Sequence, residues 1–334
     1  MSGLTVAILG LGSIGIRHAR NARQLGHSVL GFDPSVRACR QLEANEIGQA
    51  GEKADVLRRA DAVVIATPNQ FHLRDLGDAI EAGKPALVEK PLGHDAGEAR
   101  TLVRRAERSN LVVATAQNLR FRPVVRRVRG LLEAGQIGQP VWASFECASW
   151  LPDWRPGSDY HQGYAADRET GGVIFDNIHE IDLAVHLLGT AKVCSAVANR
   201  TGLLDMPSED VADIVLQHDI GCQTRVHVDY VTRPRRRTLT VAGSGGILLA
   251  DLRSGDISVR GIDDATVLTE TAPFDPNDEY VALIADFLAT ATSDSRPACP
   301  ADEALAVLEL ACEARRLAGL PQGRSMVDSE IVAS

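Results

Sequence analysis

Residues 4–26 read LTVAILGLGSIGIRHARNARQLG and decide the fold of the amino-terminal part of the chain. The apolar run at residues 4–9 predicts a buried strand, and residues 16–25 predict a helix that stops at Gly26. Between them lies Gly10-Leu11-Gly12-Ser13-Ile14-Gly15, which has the form G-x-G-x-x-G. Strand, glycine turn and helix in this order indicate a Rossmann unit that binds the pyrophosphate of a dinucleotide.

Each glycine of this turn has its own predicted role. Gly10 allows the tight turn, Gly12 lets a pyrophosphate approach the backbone, and Gly15 lets the helix pack closely on the strand. The helix then opens with Ser13 and Ile14, whose backbone N–H groups face the phosphates.

The second predicted strand, residues 28–32, ends at Asp33, which follows Gly15 by about 18 residues. A dinucleotide fold places at this point the acid that binds the adenosine ribose. The carboxylate accepts hydrogen bonds from the ribose hydroxyls and repels a 2'-phosphate, while Arg37 four residues later works against that preference. The sequence therefore predicts NAD(H) as the preferred cofactor and leaves NADP(H) possible.

Further apolar strands are predicted at residues 61–67, 85–88 and 111–116, with a helix through residue 82. Lys90 comes directly after the strand at 85–88, and the carboxyl end of a strand in an open parallel sheet points into the ligand crevice. A lysine at such a position is also often an ordinary surface residue, so the residue type alone leaves its role open.

After a predicted helix at residues 123–135 the pattern becomes rich in strands, several of which alternate apolar and polar residues. We therefore predict an α/β protein with a Rossmann domain at residues 1–121. An α+β domain with a large, mostly antiparallel open sheet is predicted at residues 122–334, closed by helices at 277–290 and 301–317. The seven predicted strands of this second domain are 141–150, 193–200, 211–218, 222–231, 237–242, 246–251 and 256–260.

Residues 171–189 read GGVIFDNIHEIDLAVHLLG and predict an amphipathic helix laid out from Asp176. Gly171 and Gly172 leave the backbone before it free to turn and approach a ligand, and Gly189 is the predicted helix stop. At about 100° per residue, Asp176, His179, Asp182 and His186 share one face and apolar residues occupy the other. A carboxylate beside an imidazole suits proton transfer, although a solvated polar face has the same pattern. The two histidines are not spaced i,i+4 and no cysteine is near, so no metal site is predicted.

Residues 150–164 form an aromatic loop between two predicted strands. Loops with this much aromatic area usually line a pocket, and packing on their own domain is the alternative. An arginine run at residues 233–237 is typical of an exposed loop, although it also suits a small anionic ligand. The aromatic side chains concerned are those of Trp150, Trp154, Tyr160 and Tyr164.

Composition limits the partners and the location of the protein. The net charge is -9 at pH 7, so the average surface repels nucleic acid and anionic membranes, and neither is predicted as a partner. The six cysteines form no CxxC pair and no apolar signal segment is present, which together predict a cytoplasmic protein with reduced thiols. A sheet with one open face predicts a homodimer or homotetramer.

Five motifs together resemble the glucose-fructose oxidoreductase/inositol dehydrogenase (Gfo/Idh/MocA) family, and they come in the family's order. The family is a two-domain, NAD(P)-dependent group that acts on sugars, cyclitols and nucleotide sugars. The motifs are GLGSIG at residues 10–15, ATPNQFH at 66–72, EKP at 89–91, QNLRF at 117–121 and GGVIFDNIHEID at 171–182.

The resemblance implies roles for individual residues. Lys90, Asp176 and His179 match the catalytic group at the nicotinamide and the substrate. Many members separate the Asp and His by four positions, whereas here they are three apart, and both spacings place them on one helix face. The remaining cofactor contacts would be Thr67, Pro68, Asn69, His72, Glu89, Asn118, Trp154 and Arg155, and Arg120 would contact substrate. The aromatic loop adds Trp150, Tyr160 and Tyr164 as predicted substrate contacts.

The function implied is hydride transfer between a nicotinamide and a carbinol or carbonyl carbon of a sugar, nucleotide sugar or cyclitol. His179 would be the acid/base, with Asp176 to orient it and Lys90 as a cation beside the reacting oxygen. Two alternatives stay open: a hydrolase or lyase that uses tightly bound NAD transiently, and a non-catalytic NAD(H) sensor.

Overall fold

The computed structural model describes residues 3–154, 157, 159–293 and 295–322. The chain forms two compact units: unit 1 contains Met1–Asn118 and Asn277–Leu308, and unit 2 contains Leu119–Pro276 and Glu309–Ser334. The predicted boundary after residue 121 put the whole segment from residue 277 in the second domain. Instead Asn277–Leu308 belongs to unit 1, because the side chains of Asn277 and Glu279 hydrogen-bond there to Asn21 and Asn118.

Unit 1 has a six-stranded parallel sheet with the order β3-β2-β1-β4-β5-β6. From β1 the chain adds β2 and β3 on one side of the sheet and then β4, β5 and β6 on the other. The point between β1 and β4 is therefore the topological switch point, where ligands of such sheets bind. The residues of β4 and β5 are all buried, as expected of strands covered on both faces. The strands are β1 Thr5–Leu9, β2 Ser28–Phe32, β3 Gln49–Ala50, β4 Ala62–Ile65, β5 Ala86–Val88 and β6 Val113–Thr115.

Five helices connect these strands, and a 3-10 turn, Asn69–Phe71, precedes the fourth. Of these elements α1 and α4 match predicted helices, whereas α2, α3, α5 and β3, which is only two residues long, were not predicted. The helices are α1 Ser13–Gln24, α2 Val36–Ala44, α3 Lys53–Arg59, α4 His72–Glu81 and α5 Ala96–Arg108.

Unit 2 has an eight-stranded sheet with the order β14-β13-β12-β11-β7-β10-β9-β8. Only β7 and β10 pair in parallel; the other neighbours are antiparallel. The predicted α/β class with a mostly antiparallel second sheet is thus confirmed, and β14 is a strand that the prediction missed. The strands are β7 Pro140–Ala148, β8 Ala191–Asn199, β9 Val211–His218, β10 Gln223–Asp229, β11 Arg236–Gly243, β12 Gly246–Asp251, β13 Asp256–Gly261 and β14 Thr266–Thr271.

One face of this sheet carries helices. The helices of unit 2 are α6 Pro123–Glu133, α7 Val173–Asp176 and α8 His179–Leu188, and α8 packs on β7 and β10. Along β9 every second residue is buried, so the residues between them point to the opposite, open face.

Two further helices follow the sheet of unit 2, α9 Asp278–Thr290 and α10 Ala301–Leu317. Within the described ranges, no helix is both long enough and apolar enough to cross a membrane. The same residues contain no group of three or more His, Cys, Asp or Glu side chains arranged to hold a metal ion.

Candidate active-site residues in the two units

The glycine turn of unit 1, residues 10–15, is shaped by steric limits at three positions. Gly10 has φ +89°, and a Cβ there would lie 2.6 Å from the Ala66 carbonyl oxygen. A Cβ on Gly15 would lie 1.9 Å from the Gly10 carbonyl oxygen, whereas a Cβ on Gly12 would meet no described atom within 4 Å. The turn is therefore closed on its inner side and open at Gly12.

Helix α1 begins at Ser13 and Ile14 without a side-chain cap. The first N–H groups of a helix have no partner within the helix, and together with the helix dipole they attract an anion. Open space at Gly12 next to such a helix end is what a pyrophosphate requires.

Asp33 follows β2 and is fixed by two backbone groups. Its carboxylate oxygens accept hydrogen bonds from the N–H of Leu11 and of Ser35, both at 2.8 Å. The contact with Leu11 holds the acid beside the glycine turn. Arg37 lies in the first turn of α2 and is exposed.

The end of β4 carries Thr67, Pro68, Asn69 and His72, the segment predicted to line the cofactor. The Thr67 hydroxyl donates to Asp75 at 2.7 Å, and Asn69 is buried. The two ring nitrogens of His72 lie 2.8 Å from the carbonyl oxygens of Thr67 and Pro91. These acceptors favour the protonated ring, but burial is the larger effect and lowers the pKa of His72. His72 thereby joins the segments that follow β4 and β5.

Glu89 and Lys90 follow β5, and Glu89 is held by a histidine that the sequence did not single out. His18, on α1, is fully buried and its Nε2 lies 2.7 Å from Glu89 Oε1, while the Lys90 N–H donates to the other carboxylate oxygen at 3.1 Å. Burial would raise the pKa of Glu89, but the hydrogen bond from His18 and nearby positive charges lower it. Glu89 is therefore an ionised anchor for the backbone of the half-buried Lys90.

Asn118, at the last position of the amino-terminal segment of unit 1, is also buried. Its amide donates to Glu279 Oε1 on α9 at 2.6 Å. Its predicted role at the cofactor is not tested by this contact, which uses one of its amide hydrogens.

In unit 2 the helix predicted from Asp176 to the stop at Gly189 is interrupted near its start. Asp176 ends α7, His179 begins α8, and Asn177 and Ile178 lie between the two helices. The turn before α7 depends on glycine, since Gly172 has φ +89° and a Cβ there would lie 2.2 Å from the Glu209 carboxylate. A continuous helix was thus a wrong prediction, although Asp176 and His179 keep their sequence neighbourhood.

Glu209 is neutralised by Arg315, which is fully buried. The Arg315 guanidinium lies 2.8 Å from Glu209 Oε1 and donates to the Gly171 carbonyl at 3.0 Å. It also donates to the carbonyls of Arg168 and Glu169. The two-glycine turn that leads into Asp176 is therefore held by a buried ion pair.

Asp176 is buried and lies within a cluster that includes Tyr164 and Tyr230, here called the Asp176 cluster. Both tyrosine hydroxyls donate to its carboxylate, that of Tyr230 at 2.9 Å. Burial and then the charge of Asp176 raise the pKa of Tyr230, so Tyr230 keeps its proton. Trp154 packs edge-on against Tyr230 with the ring centroids 5.6 Å apart. His179, at the start of α8, is 8% exposed.

The rest of the predicted ionisable face of α8 is not a solvated surface. Asp182 forms a buried ion pair with Arg120, whose Nη2 lies 2.6 Å from Asp182 Oδ1, and Glu180 pairs with Arg237 at 2.7 Å. Arg120 is thus held against α8 by an ion pair, and its contact with substrate stays a prediction. Burial, followed by the charges of Arg120 and Arg129, lowers the pKa of His186 to about 3.

The aromatic loop is partly packed on its own unit. The Trp154 indole donates to Ser149 at 2.8 Å, and the Arg233 guanidinium lies over the Trp150 ring at 4.4 Å. The Tyr160 hydroxyl accepts a hydrogen bond from the Asp205 N–H at 3.3 Å. Arg155, paired with Trp154 in the prediction, lies outside the described residues.

The residues that sequence reasoning missed are partners of those it found. His18 shares α1 with the glycine turn, but nothing in its spacing points to Glu89, 71 positions away. Tyr230 and Arg315 lie 54 and 106 positions from their carboxylate partners. Only the fold brings such pairs together.

Unit 1 has a Rossmann sheet of the dinucleotide-binding kind, and unit 2 has a sheet domain that carries a buried acid and histidine. This combination is typical of two-domain, NAD-binding oxidoreductases. The description "Oxidoreductase family, NAD-binding Rossmann fold" matches residues 4–117, and "GFO/IDH/MocA C-terminal domain" matches residues 125–249. The chain belongs to the Gfo/Idh/MocA oxidoreductase family, as its motifs predicted.

Among curated relatives, D-apiose dehydrogenase of Rhizobium rhizogenes is 32% identical over 52% of this chain. The match spans about half, 48%, of that relative's length. The scyllo-inositol 2-dehydrogenase (NAD(+)) of Bacillus subtilis is 29% identical over 76% of this chain and 75% of its own.

Among solved structures, an oxidoreductase from Agrobacterium radiobacter in complex with NAD+, L-tartaric acid and magnesium superposes with a TM-score of 0.82. It is 23% identical, and the match covers 95% of this chain and 96% of that one. At this identity the likeness shows the shared fold.

Proposed function

We propose that the protein transfers a hydride between NAD and a carbinol or carbonyl carbon of a sugar, nucleotide sugar or cyclitol. The observation that carries the proposal is the open position at Gly12 beside the uncapped start of α1, in a chain of an oxidoreductase family. The curated relatives described above are named as dehydrogenases of D-apiose and of scyllo-inositol, which supports the substrate class.

The residues of unit 1 fit NAD. The pyrophosphate would lie at Gly12, against the N–H groups of Ser13 and Ile14. The space beside Gly12 is open, and the helix dipole there favours an anion. Asp33, held by Leu11 N–H, would accept hydrogen bonds from the adenosine ribose and repel the 2'-phosphate of NADP. We therefore propose NAD(H) as the preferred cofactor.

When bound, the nicotinamide supplies the hydride acceptor or donor. In the oxidative direction His179 takes the proton of the substrate hydroxyl, because an alcohol is too weak an acid to lose it unaided. Asp176, held by two tyrosine hydroxyls, orients His179. Lys90, anchored through Glu89, stabilises the negative charge that develops on the reacting oxygen.

The test is a panel of cyclitols, free sugars and nucleotide sugars incubated with NAD, followed by the absorbance of the reduced nicotinamide. Accumulation of NADH with at least one class supports the proposal. Substrate loss without net NADH, with cofactor still bound, indicates a hydrolase or lyase that uses NAD transiently. Tight NAD binding without loss of any compound indicates a sensor.

We also propose that the protein is a homodimer or homotetramer joined through the open face of the unit 2 sheet. Trp142, Val197 and Leu249 point to that face and are 46%, 61% and 39% exposed. Apolar area of this kind is normally covered. A second copy fits because the face also carries both charge signs, with Arg225 and Asp213 paired at 2.7 Å.

Light scattering should give a dimer or tetramer at about micromolar concentration, and Trp142→Glu should dissociate it. Val36→Glu, at an exposed apolar residue of α2, is the matched control and should leave the assembly intact. A monomeric wild-type protein contradicts this proposal.

A further inference from the structure

The arginine run at residues 233–237, which leads into β11, has one member that forms no ion pair with a described carboxylate. Arg233 lies 3.4 Å from Asp153, Arg236 3.4 Å from Glu146, and Arg237 2.7 Å from Glu180. Within the part of the chain that the structure describes, Arg235 has no carboxylate within ion-pair distance. The same holds for Arg253, whose guanidinium donates instead to the Arg235 carbonyl at 2.6 Å.

Arg235 and Arg253, here called the arginine patch, lie in a surrounding that is itself positive. Partial burial lowers the pKa of Arg235, and the charges of Arg237, Arg253 and Arg122 lower it further. Like charges repel one another, so guanidinium groups that are grouped without carboxylates attract an anion more strongly than a single one does.

The patch is connected to the Asp176 cluster through packed rings. The Arg235 guanidinium lies 5.9 Å from the centroid of the Trp154 ring. Trp154 packs on Tyr230, and Tyr230 donates to Asp176. A ligand group at Arg235 would therefore lie on the side of unit 2 that carries the residues proposed for proton transfer.

We propose that the arginine patch binds an oxyanion of the substrate, so that the preferred substrate is an acidic sugar derivative carrying a carboxylate or a phosphate. The inference rests on the proposed hydride transfer and narrows its substrate class. A guanidinium presents paired N–H donors that match either oxyanion, and its charge strengthens each hydrogen bond. Trp154 supplies an apolar wall beside the charge, which suits a sugar ring.

The test compares anionic and neutral ligands on matched variants. D-glucuronate, inorganic phosphate and D-glucose are titrated calorimetrically into the NAD-loaded protein. Initial rates are then measured with uronates, sugar phosphates, nucleotide sugars and their neutral counterparts. Arg235→Gln should weaken binding of the anions, or raise their KM, by about tenfold or more and leave neutral ligands unchanged. Arg235→Lys should restore part of the loss.

Arg236→Gln is the control, since it removes the same charge from the next residue, whose partner is Glu146. It should leave both ligand classes unaffected. The rate arm distinguishes the sources: a preference for uronates identifies a carboxylate, and one for sugar phosphates or nucleotide sugars identifies a phosphate.

Equal effects of Arg235→Gln on anionic and neutral ligands would overturn the inference, because they would show that Arg235 only holds the Trp154 loop. Indifference of the wild type to ligand charge would overturn it as well. If the protein oxidises neutral sugars at a rate that does not depend on Arg235, the proposed hydride transfer is supported and the anion subsite is overturned. If glucuronate binds in a manner that depends on Arg235 but no sugar is oxidised, the anion subsite is supported and the proposed hydride transfer is contradicted.

Discussion

In unit 1 the candidate cofactor site is made mainly by backbone, whereas in unit 2 the candidate proton-transfer site is made by side chains that are distant in the sequence. The glycine turn needs three glycines within residues 10–15 and one carboxylate that reaches Leu11 across 22 positions. The Asp176 cluster needs Tyr230, 54 positions away, and its leading turn needs Arg315, 106 positions after Glu209.

The difference shows that a sequence motif can reveal a site built by backbone but not one built by side chains that are distant in the sequence. A backbone site restricts residue type at fixed spacing, because only glycine tolerates a 1.9 Å or 2.6 Å approach. A network of side chains has no fixed spacing in the sequence, because its members come into contact only after the strands have paired. The comparison predicts that substitutions in the glycine turn change cofactor binding, whereas substitutions at His179 and its neighbours in unit 2 change catalysis.

The largest effect is expected for His179→Ala, with kcat lowered by roughly 10²-fold or more, the scale for a positioned acid/base group. NAD affinity should change little. His186→Ala is the matched control on the same helix: its low pKa of about 3 makes it a poor proton acceptor at neutral pH, so kcat should persist. Steady-state kinetics on one substrate decide, and comparable losses in both variants would mean that His179 is not the base.

Next in size is Gly12→Ala, which should weaken NAD binding by about tenfold or more without lowering thermal stability, because its Cβ meets no described atom in the protein alone. Gly15→Ala is the contrast, since its Cβ would overlap the Gly10 carbonyl and should destabilise the fold by about 2 kcal/mol or more. NAD titration and thermal unfolding measure the two properties. Retained NAD affinity in a folded Gly12→Ala protein would argue against this phosphate site.

A smaller effect is expected in cofactor choice. The wild type should show a much lower KM for NAD than for NADP, and Asp33→Ala should narrow that ratio by removing the charge that repels the 2'-phosphate. It should also cost about 1 kcal/mol for each lost backbone hydrogen bond, to Leu11 and to Ser35. Arg37→Ala should widen the ratio. Equal use of NAD and NADP by the intact protein would contradict the role of Asp33.

The smallest effects are expected in the pH dependence of stability, where two histidines of unit 2 act with opposite signs. The pKa of His186 is lowered to about 3 by burial and nearby arginines. The unfolded chain therefore binds more protons between that value and its ordinary pKa, and the free energy of unfolding falls as pH falls through that window. The upper bound is about 1.4 kcal/mol per pH unit, reduced by solvent access.

The pKa of His227 is raised, first by its hydrogen bond with Asp229. Its contribution is present below the ordinary histidine pKa and is lost as pH rises through the raised value. Urea unfolding at about pH 5 and about pH 7 should show that His186→Gln reduces the loss of stability in acid. His227→Gln should make the loss larger. Identical shifts in both variants would refute the assignment of opposite signs.

Sequence patterns predicted many of the regular elements, and Ser28–Phe32 and Ala301–Leu317 have the predicted bounds. It placed Asp176 and His179 on one helix because a wheel contains no information on tertiary partners. The break between α7 and α8 accompanies buried ion pairs of Glu180 and Asp182 with Arg237 and Arg120, none of which a helical pattern reveals. The assignment of residues 277–308 failed for the same reason, since Glu279 and Asn277 find their partners in unit 1.

The position of the buried Arg315 near the end of the chain affects the order in which unit 2 can fold during translation. Glu209 and the carbonyls before Gly172 are translated 106 residues and more before the guanidinium that neutralises and binds them. Until α10 has left the ribosome, the glycine turn ahead of Asp176 faces a carboxylate whose burial is opposed by its own charge. The strands of unit 2 can pair during translation, but the segment proposed for proton transfer acquires its final shape only after residue 315 has emerged.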